Sequence, residues 1–327
     1  MELKQRMDGI RSRDTFREIP TASPGFKSGF VGIIGRPNVG KSTLMNQFVG
    51  QKIAITSPIA QTTRNRLRGI VTTEAAQIIF VDTPGIHKPH HRLGEVLVNN
   101  ARVAIRSVDA LLFVVDGTVP LGAGDRYIAD HLIQHIAIPV ILVLNKTDQR
   151  TQDWHQSHPS QSIDQGYGDL VIAKNWTSLK VSALTGDGLP TLFASIIDEM
   201  SPGPYYYPPD LVTDQPERFI MGELIREQIL LLTREEVPHS VAVSVDQVVE
   251  EPTITRVLAT IYVERDSQKG ILIGKEGGML KGIGSAAREQ MQKLIDGKVY
   301  LEIFVKVQRR WRQSAHHLAE FGYSAEE

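Results

Sequence analysis

Eight consecutive residues constrain this chain more than any others: Gly35, Arg36, Pro37, Asn38, Val39, Gly40, Lys41 and Ser42. They fit the pattern G-x-x-x-x-G-K-[ST]. The apolar run Phe30–Ile34 precedes them, and Leu44, Gln47 and Phe48 follow at helical spacing. Strand, Gly-rich turn and helix in that order make a phosphate-binding loop. Glycines at 35 and 40 let backbone N–H groups curl around phosphate oxygens. Lys41 brings a cation to the β- and γ-phosphates, and the Ser42 hydroxyl is a hard oxygen ligand for Mg²⁺. The helix that opens through Thr43 adds the partial positive charge of its N-terminus.

Further apolar runs recur at Ile78–Val81, Leu111–Val115, Val140–Leu144 and Leu179–Val181, separated by helical stretches. Continuous rather than alternating apolar strands predict a mostly parallel sheet with helices on both faces. Three short motifs stand at the C-terminal ends of these strands, the edge at which open α/β sheets bind ligands. Asp82, Thr83, Pro84 and Gly85 follow the second strand. Asp82 is placed to hold Mg²⁺ through water, and Gly85 to offer its N–H to a γ-phosphate. Asn145, Lys146, Thr147 and Asp148 follow the fourth. A carboxylate at Asp148 takes both the N1–H and the 2-amino group of guanine, whereas adenine leaves it unpaired. Asn145 is expected to brace the loop and the Lys146 stem to cover the base. Ser182, Ala183 and Leu184 are expected to present backbone N–H groups to the guanine O6. Between the first two motifs lies Gln61–Arg66, where a switch threonine must approach the Mg²⁺; Thr63 is the choice and Thr62 the reserve.

The 36 basic residues against 37 acidic ones exclude a chain coated in positive charge, and the absence of cysteine excludes disulfides and thiol chemistry. No apolar run nears the roughly 20 residues that span a bilayer. The cluster His87, His90 and His91 reads as part of a switch segment rather than a zinc site.

From Ser201 to Asp210 four prolines and three tyrosines predict a stiff, extended linker. Beyond it the rhythm changes. Helical spacing (Ile220, Leu224, Ile225, Ile229) gives way to alternation at Val241–Val245 and Val257–Val263. Helical spacing returns at Ile283–Leu294, and alternation at Val299–Val307. That is a second, α+β domain with one buried sheet face. Its loop Ile273, Gly274, Lys275, Glu276, Gly277 carries the G-x-x-G pattern with which KH domains clamp single-stranded RNA. From Arg265 to Arg312 there are 11 Lys or Arg residues against 5 acidic ones, a local phosphate footprint in a chain of net charge −1. Lys281, Arg288, Arg309, Arg310 and Arg312 are the candidate RNA cations. Trp311 stacks either on a base or on its own domain.

Taken together, these motifs resemble the Era family of ribosome-associated GTPases over about residues 28–322. The match rests on 35–43, Gln61–Arg64, Val81–His87, 145–148, Val237-Pro-His-Ser-Val-Ala-Val243, Ile273–Gly277 and Phe304–Val307. Residues 1–25, without periodicity, read as a mobile tail and depart from the family pattern, and the resemblance implies a P-loop G domain over 26–203. It further implies a linker over 204–218 and a type II KH domain over 219–327. It implies GTP and GDP as ligands with Mg²⁺, and GTP hydrolysis coupled to binding of 16S ribosomal RNA near its 3′ end in maturation of the 30S subunit. A cytoplasmic monomer is implied, with possible peripheral membrane association. Ile86 stands where many GTPases carry a water-orienting glutamine. In relatives of that kind the asparagine matching Asn38 helps hold K⁺, which makes Asn38, Lys41, Thr63 and Gly85 the catalytic candidates. The competing readings are a P-loop small-molecule kinase and an RNA-binding adaptor with an inactive nucleotide site.

Overall fold

The computed structural model describes residues 19–57, 59, 64, 67–83, 92–134, 136–150 and 160–323. The mobile tail expected at 1–25 falls largely outside them, as do Thr62, Thr63, Pro84, Gly85, Ile86 and the three clustered histidines.

The first domain is a six-stranded sheet in the order β2-β3-β1-β4-β5-β6. Its strands are β1 (Lys27–Ile34), β2 (Leu67–Thr72), β3 (Ala76–Asp82), β4 (Ala110–Asp116), β5 (Val140–Asn145) and β6 (Thr177–Lys180). All pairings are parallel except β2 with β3. Every residue of β3 and of β5 is buried, which is why those runs are continuously apolar. Two readings need correction at the edges. The antiparallel β2, Leu-Arg-Gly-Ile-Val-Thr, escapes a search for continuous apolar runs, because it is an edge strand of mixed character. The last strand ends at Lys180 and is mostly exposed, so Val181 belongs to the turn that follows.

Helices α1 (Lys41–Val49), α2 (Arg92–Arg106), α3 (Ala123–Tyr127), α4 (Ser160–Lys174) and α5 (Leu189–Glu199) complete this domain. One apolar cluster on one face of the sheet gathers Leu44, Met45, Phe80 and Leu192; another on the opposite face gathers Ile105, Phe113, Ile128 and Tyr167. Helix α4 orders part of the polar stretch 149–175. Its Asp164 pairs with Arg150 at 2.9 Å and Lys180 at 2.7 Å.

The linker expected to be extended is strapped to the first domain. Tyr205 packs on Phe26 at 4.3 Å between ring centroids and Tyr206 on Phe30 at 5.0 Å. Buried Gln77 accepts from the N–H groups of Tyr206 and Tyr207 and donates to the Tyr207 carbonyl.

The second domain comprises α6 (Glu217–Leu232), a one-turn helix α7 (Val237–Ser240), β7 (Ala242–Glu251), β8 (Ile254–Val263), α8 (Asp266–Ile273), α9 (Gly278–Ile295) and β9 (Val299–Val307). A short helix α10 (Ala315–Glu320) follows. The sheet order is β7-β8-β9, with β7 antiparallel and β9 parallel to β8. The order differs from the expected α-β-β-loop-α-β by the short helices α7, α8 and α10; α8 is capped by Gly274 (φ 71°). Its eight residues are too few for a clear 3.6-residue period.

Candidate nucleotide and RNA sites

The phosphate loop closes between β1 and α1. Asn38 and Gly40 take positive φ values of 64° and 99°, and Gly35 stands at 153°. A Cβ on Gly35 would fall 2.2 Å from the Val114 carbonyl oxygen, and one on Gly40 2.3 Å from Asn145 Nδ2. Only glycine fits at either point. The same conformations turn successive N–H groups toward one concavity, an anion cradle. Lys41 is buried, with Nζ donating to the carbonyls of Arg36 at 2.9 Å and Gly35 at 3.2 Å. Burial pulls its ammonium down to about 8, against the attraction of Asp82. A buried lysine held so near neutrality favours an anionic ligand. Ser42 Oγ donates to Asp82 Oδ2 at 2.8 Å, which brings the two expected Mg²⁺ groups together. This donor set of hydroxyl and carboxylate oxygens suits a hard divalent cation.

Arg36 turns away from the loop toward α3: Nε donates to buried Asp125 Oδ1 at 2.7 Å. Thr83 is also buried, and its hydroxyl donates to the Ile33 carbonyl at 2.9 Å, tying the end of β3 to β1.

Asn145 joins the two halves of the site. Its Nδ2 donates to the Val39 carbonyl and its Oδ1 accepts from Ala183 N–H, both at 2.8 Å. The Ala183 N–H therefore serves Asn145, and the turn presents its exposed Leu184 end outward. Lys146 stands at φ 67°, with Nζ on Asp116 Oδ2 at 2.7 Å. Ser182 Oγ donates to Asp148 Oδ1 at 2.6 Å and so orients the carboxylate expected to read guanine. Sequence reasoning gave Ser182 only a backbone role, because the meeting of two loops 34 residues apart leaves no local signal.

A cavity of about 870 Å³ opens over these residues, lined by Asn38, Lys41, Ser42 and Lys146. Its other wall belongs to the second domain, through Glu227, Gln228 and Leu231 of α6 and Gln290 of α9. Buried Glu227 holds Lys52 Nζ at 2.5 Å and accepts from Thr56 N–H at 2.8 Å. The sequence motifs do not flag this contribution.

The expected RNA residues fall in two places. The G-x-x-G loop lies between α8 and α9, with Gly277 at φ 76° and Glu276 at φ 54°. Beside it a groove of about 380 Å³ is floored by Leu280, Leu301 and Ile303 and rimmed by Lys281 and Arg288. Gly284 lies on the groove, and a Cβ there would touch Ile303 at 3.5 Å. Exposed Tyr300, missed by the motif search, lines it too, with the Arg256 guanidinium 5.3 Å from its ring centroid. Arg309, Arg310 and Arg312 instead line a separate cavity with Glu264 and Asp266. Arg312 is ion-paired to Glu264 there. Trp311 is fully buried, with Nε1 donating to the Ser240 carbonyl at 2.9 Å, so it packs on its own domain rather than on a base.

Comparison with known proteins agrees with both halves. Residues 30–146 match the family model described as 50S ribosome-binding GTPase, and residues 236–312 match the KH domain model. A protein of Nostoc sp. named GTPase Era is 72% identical over 309 residues, covering 94% of this chain and 93% of that one. A GTPase Era of Synechocystis sp. is 60% identical over 98% of this chain and 100% of its own. Two solved structures superpose with a TM-score of 0.85 at 36% identity. One is Era in complex with MgGDPNP and nucleotides 1506–1542 of 16S ribosomal RNA, covering 91% of this chain and 99% of that one. The other is a point variant of Aquifex aeolicus Era bound to GDP·AlF4⁻, covering 91% and 100%. The chain belongs to the Era family of GTPases.

Proposed function

We propose that this GTPase is a switch whose nucleotide state sets its grip on the 3′ end of small-subunit ribosomal RNA, during maturation of the 30S subunit. The observation that carries the reading is the shared cavity: the phosphate loop and the KH helices α6 and α9 wall the same space. A change at the nucleotide therefore reaches the RNA-binding domain directly. The relative solved with 16S ribosomal RNA supplies the class of RNA. The kinase and inactive-adaptor alternatives lose ground to family membership and to the Ser182–Asp148 contact.

In this reading the backbone of 35–43 cradles the phosphates and Lys41 neutralises charge between them. Ser42 and Thr63 would hold Mg²⁺, with Asp82 acting through water, and the ion would screen the phosphate charge. Asp148 reads guanine, Lys146 covers it, and the Leu184 end of the 182–184 turn meets its oxygen, since the Ser182 and Ala183 N–H groups are already bonded. Gly85 serves the γ-phosphate. Ile86 has no group with which to orient water, so Asn38 is the residue that would hold a K⁺, whose charge would offset negative charge on the phosphates. The G-x-x-G loop with Lys275, Lys281 and Arg288 holds the RNA backbone while bases lie over Leu280 and Ile303. Arg309 and Arg310 add phosphate contacts. Action in the cytoplasm follows from this reading, and peripheral membrane association remains a family expectation.

The test is an RNA titration in GDP and in a non-hydrolysable GTP analogue at one fixed salt concentration. GTP should strengthen RNA binding, and RNA should strengthen GTP binding by the same factor. Gly277→Asp is the cleaner control: a Cβ there meets open space, though its φ of 76° strains a side chain, while one on Gly274 would also lie 2.7 Å from Met279 Cβ. That variant should lose RNA affinity and keep GTP affinity. Equal RNA affinities in the two nucleotide states would sink the switch.

A further inference from the structure

A buried carboxylate that the sequence motifs do not flag ties the phosphate loop to α3. Arg36 and Asp125 meet across 89 residues of chain. Asp125 is fully buried. Its Oδ1 accepts from Arg36 Nε at 2.7 Å. Its Oδ2 accepts from the Gly122 N–H at 3.2 Å and lies 3.5 Å from the Tyr167 hydroxyl of α4. The Arg36 stem crosses the α3 backbone closely: a Cβ on Gly124 would fall 2.7 Å from Arg36 Cδ. One carboxylate thus closes the first turn of α3 and grips the loop. Helix α3 is itself well anchored. It runs into a π-helical turn, Ile128–Leu132, whose Ile128 and Ala129 are buried in the core on that face of the sheet. Such turns are rare and recur at functional sites.

Arg36 uses its side chain and its main chain for different ends. The guanidinium goes to Asp125, while the carbonyl accepts from Lys41 Nζ at 2.9 Å, nearer than the Gly35 carbonyl at 3.2 Å. Pro37 follows, and a proline restricts the residue before it. Further along, the Val39 carbonyl accepts from Asn145. The loop is therefore held from outside at two points, Arg36 and Val39, with Asn38 between them. Stability does not by itself explain the charged pair. Two apolar side chains of similar volume often fill such a site as well or better. A charge-assisted hydrogen bond does what apolar contact cannot: it fixes the direction of the arginine, and with it the residue whose carbonyl seats the lysine.

We infer that Asp125 is a positioning residue for the nucleotide phosphates: by holding Arg36 it fixes the carbonyl on which Lys41 is seated. An ammonium has three donors, so with two on the Gly35 and Arg36 carbonyls the third meets a phosphate oxygen. A shift of the Arg36 carbonyl turns that third donor away. The inference rests on the assignment of Lys41 to the β- and γ-phosphates under the proposed function. Asp125 itself touches neither nucleotide nor magnesium and acts through Arg36.

The experiment is GDP and GMP binding to the full chain, in saturating Mg²⁺ at one fixed salt concentration, with thermal unfolding of the nucleotide-free protein measured alongside. Asp125→Ala should lower GDP affinity about tenfold, mostly through faster release. GMP has no β-phosphate for Lys41 to meet, so its affinity should stay within about threefold of wild type. Tyr167→Phe takes a hydroxyl away from the same carboxylate and leaves the Arg36 contact in place. Its GDP affinity should stay within about threefold of wild type even where its stability falls. Arg36→Met combined with Asp125→Ala should cost no more than about threefold beyond Asp125→Ala, since a residue that acts through another adds nothing once that other is gone. The double variant leaves no buried charge unpaired, so it decides the matter if Asp125→Ala fails to fold: GDP affinity should be about tenfold down and GMP affinity held. Lys41→Ala is the reference. If it leaves GDP affinity unchanged, the phosphate reading above fails and this inference falls with it. If Lys41→Ala weakens GDP binding while the folded Asp125 variants bind GDP within about threefold of wild type, the inference alone is overturned. Equal losses for GDP and GMP, or a larger further loss in the double variant, would overturn it as well.

Discussion

Replacing Asn145 by alanine should separate bracing from ligand contact. The side chain is 2% exposed and makes two hydrogen bonds of 2.8 Å, one to each half of the nucleotide site. Truncation leaves the Val39 carbonyl and the Ala183 N–H in a buried site without that partner. At about 1–3 kcal/mol for each buried group left unsatisfied, the first domain should lose about 2–6 kcal/mol. The loss should show in the nucleotide-free protein, before any ligand is added. Val39 precedes the Gly40 turn and Ala183 precedes Leu184, so GDP affinity should fall as well, by about tenfold or more. Urea unfolding of nucleotide-free protein measures the first quantity. Amide exchange in β5 and in the 182–185 turn confines it to the first domain, since a two-domain chain need not unfold in one step. Asn145→Asp should be no better than alanine, because it keeps the acceptor for Ala183 but sets a carboxylate oxygen against the Val39 carbonyl. A stability change under about 0.5 kcal/mol accompanied by lost GDP affinity would refute the bracing argument and place Asn145 on the ligand itself.

Three further outcomes follow from the same site. Asp148→Asn should move base preference from guanine toward xanthine, since an amide donates where the carboxylate accepted; an unchanged GTP-to-XTP ratio in competition binding counts against the assignment. Lys41, drawn down to about 8 by burial, should lose its proton in the nucleotide-free protein above that pH. Bound phosphates favour the charged form, so GDP affinity should be flat below about pH 8 and fall by up to about tenfold per pH unit above it, with proton uptake visible by calorimetry in buffers of different ionisation heat. Hydrolysis should run faster in K⁺ than in Na⁺ at equal ionic strength, and equal single-turnover rates would remove the ion from the mechanism.

What could be read from the sequence was local. The phosphate loop, Asp82 and Asn145–Asp148 are recognisable because backbone conformation or ligand chemistry demands particular residues at fixed offsets. The strands β3, β4 and β5 are legible because burial on both faces leaves continuous apolar runs. Groups that meet across the fold left no such trace. Ser182 on Asp148 and Glu227 on Lys52 are partners 34 and 175 residues apart. Arg64 has no local signal for its burial against the Pro238, His239 and Val241 carbonyls, and the Arg309–Arg312 run reads as uniform although Arg312 is spent on Glu264. Edge strand β2 and the eight-residue α8 failed for a different reason: neither is long or regular enough to show a period.

The strapped linker gives the coupling its mechanical form. Proline content alone suggests a stiff spacer that lets the domains sit apart. Instead the chain stays bound to the first domain well past the prolines. Ile70 N–H donates to the Val212 carbonyl at 2.9 Å, the Thr213 hydroxyl to the Arg68 carbonyl at 2.7 Å, and Arg68 pairs with Asp214 at 2.5 Å. Helix α6 then begins at Glu217. Only Gln215 and Pro216 lie between the last strap contact and the second domain, and proline fixes its own φ. A reorientation of the domains that spares the strap must therefore turn about this point. Glu227 lies near the middle of α6, so such a turn pulls it across Lys52 and Thr56 at the mouth of the nucleotide cavity. Further along the same domain, the Pro238, His239 and Val241 carbonyls accept from Arg64. Neither tie involves the β1–β3–β4 core. The described ties to the second domain thus lie on residues after α1, outside the strands that carry the phosphate cradle.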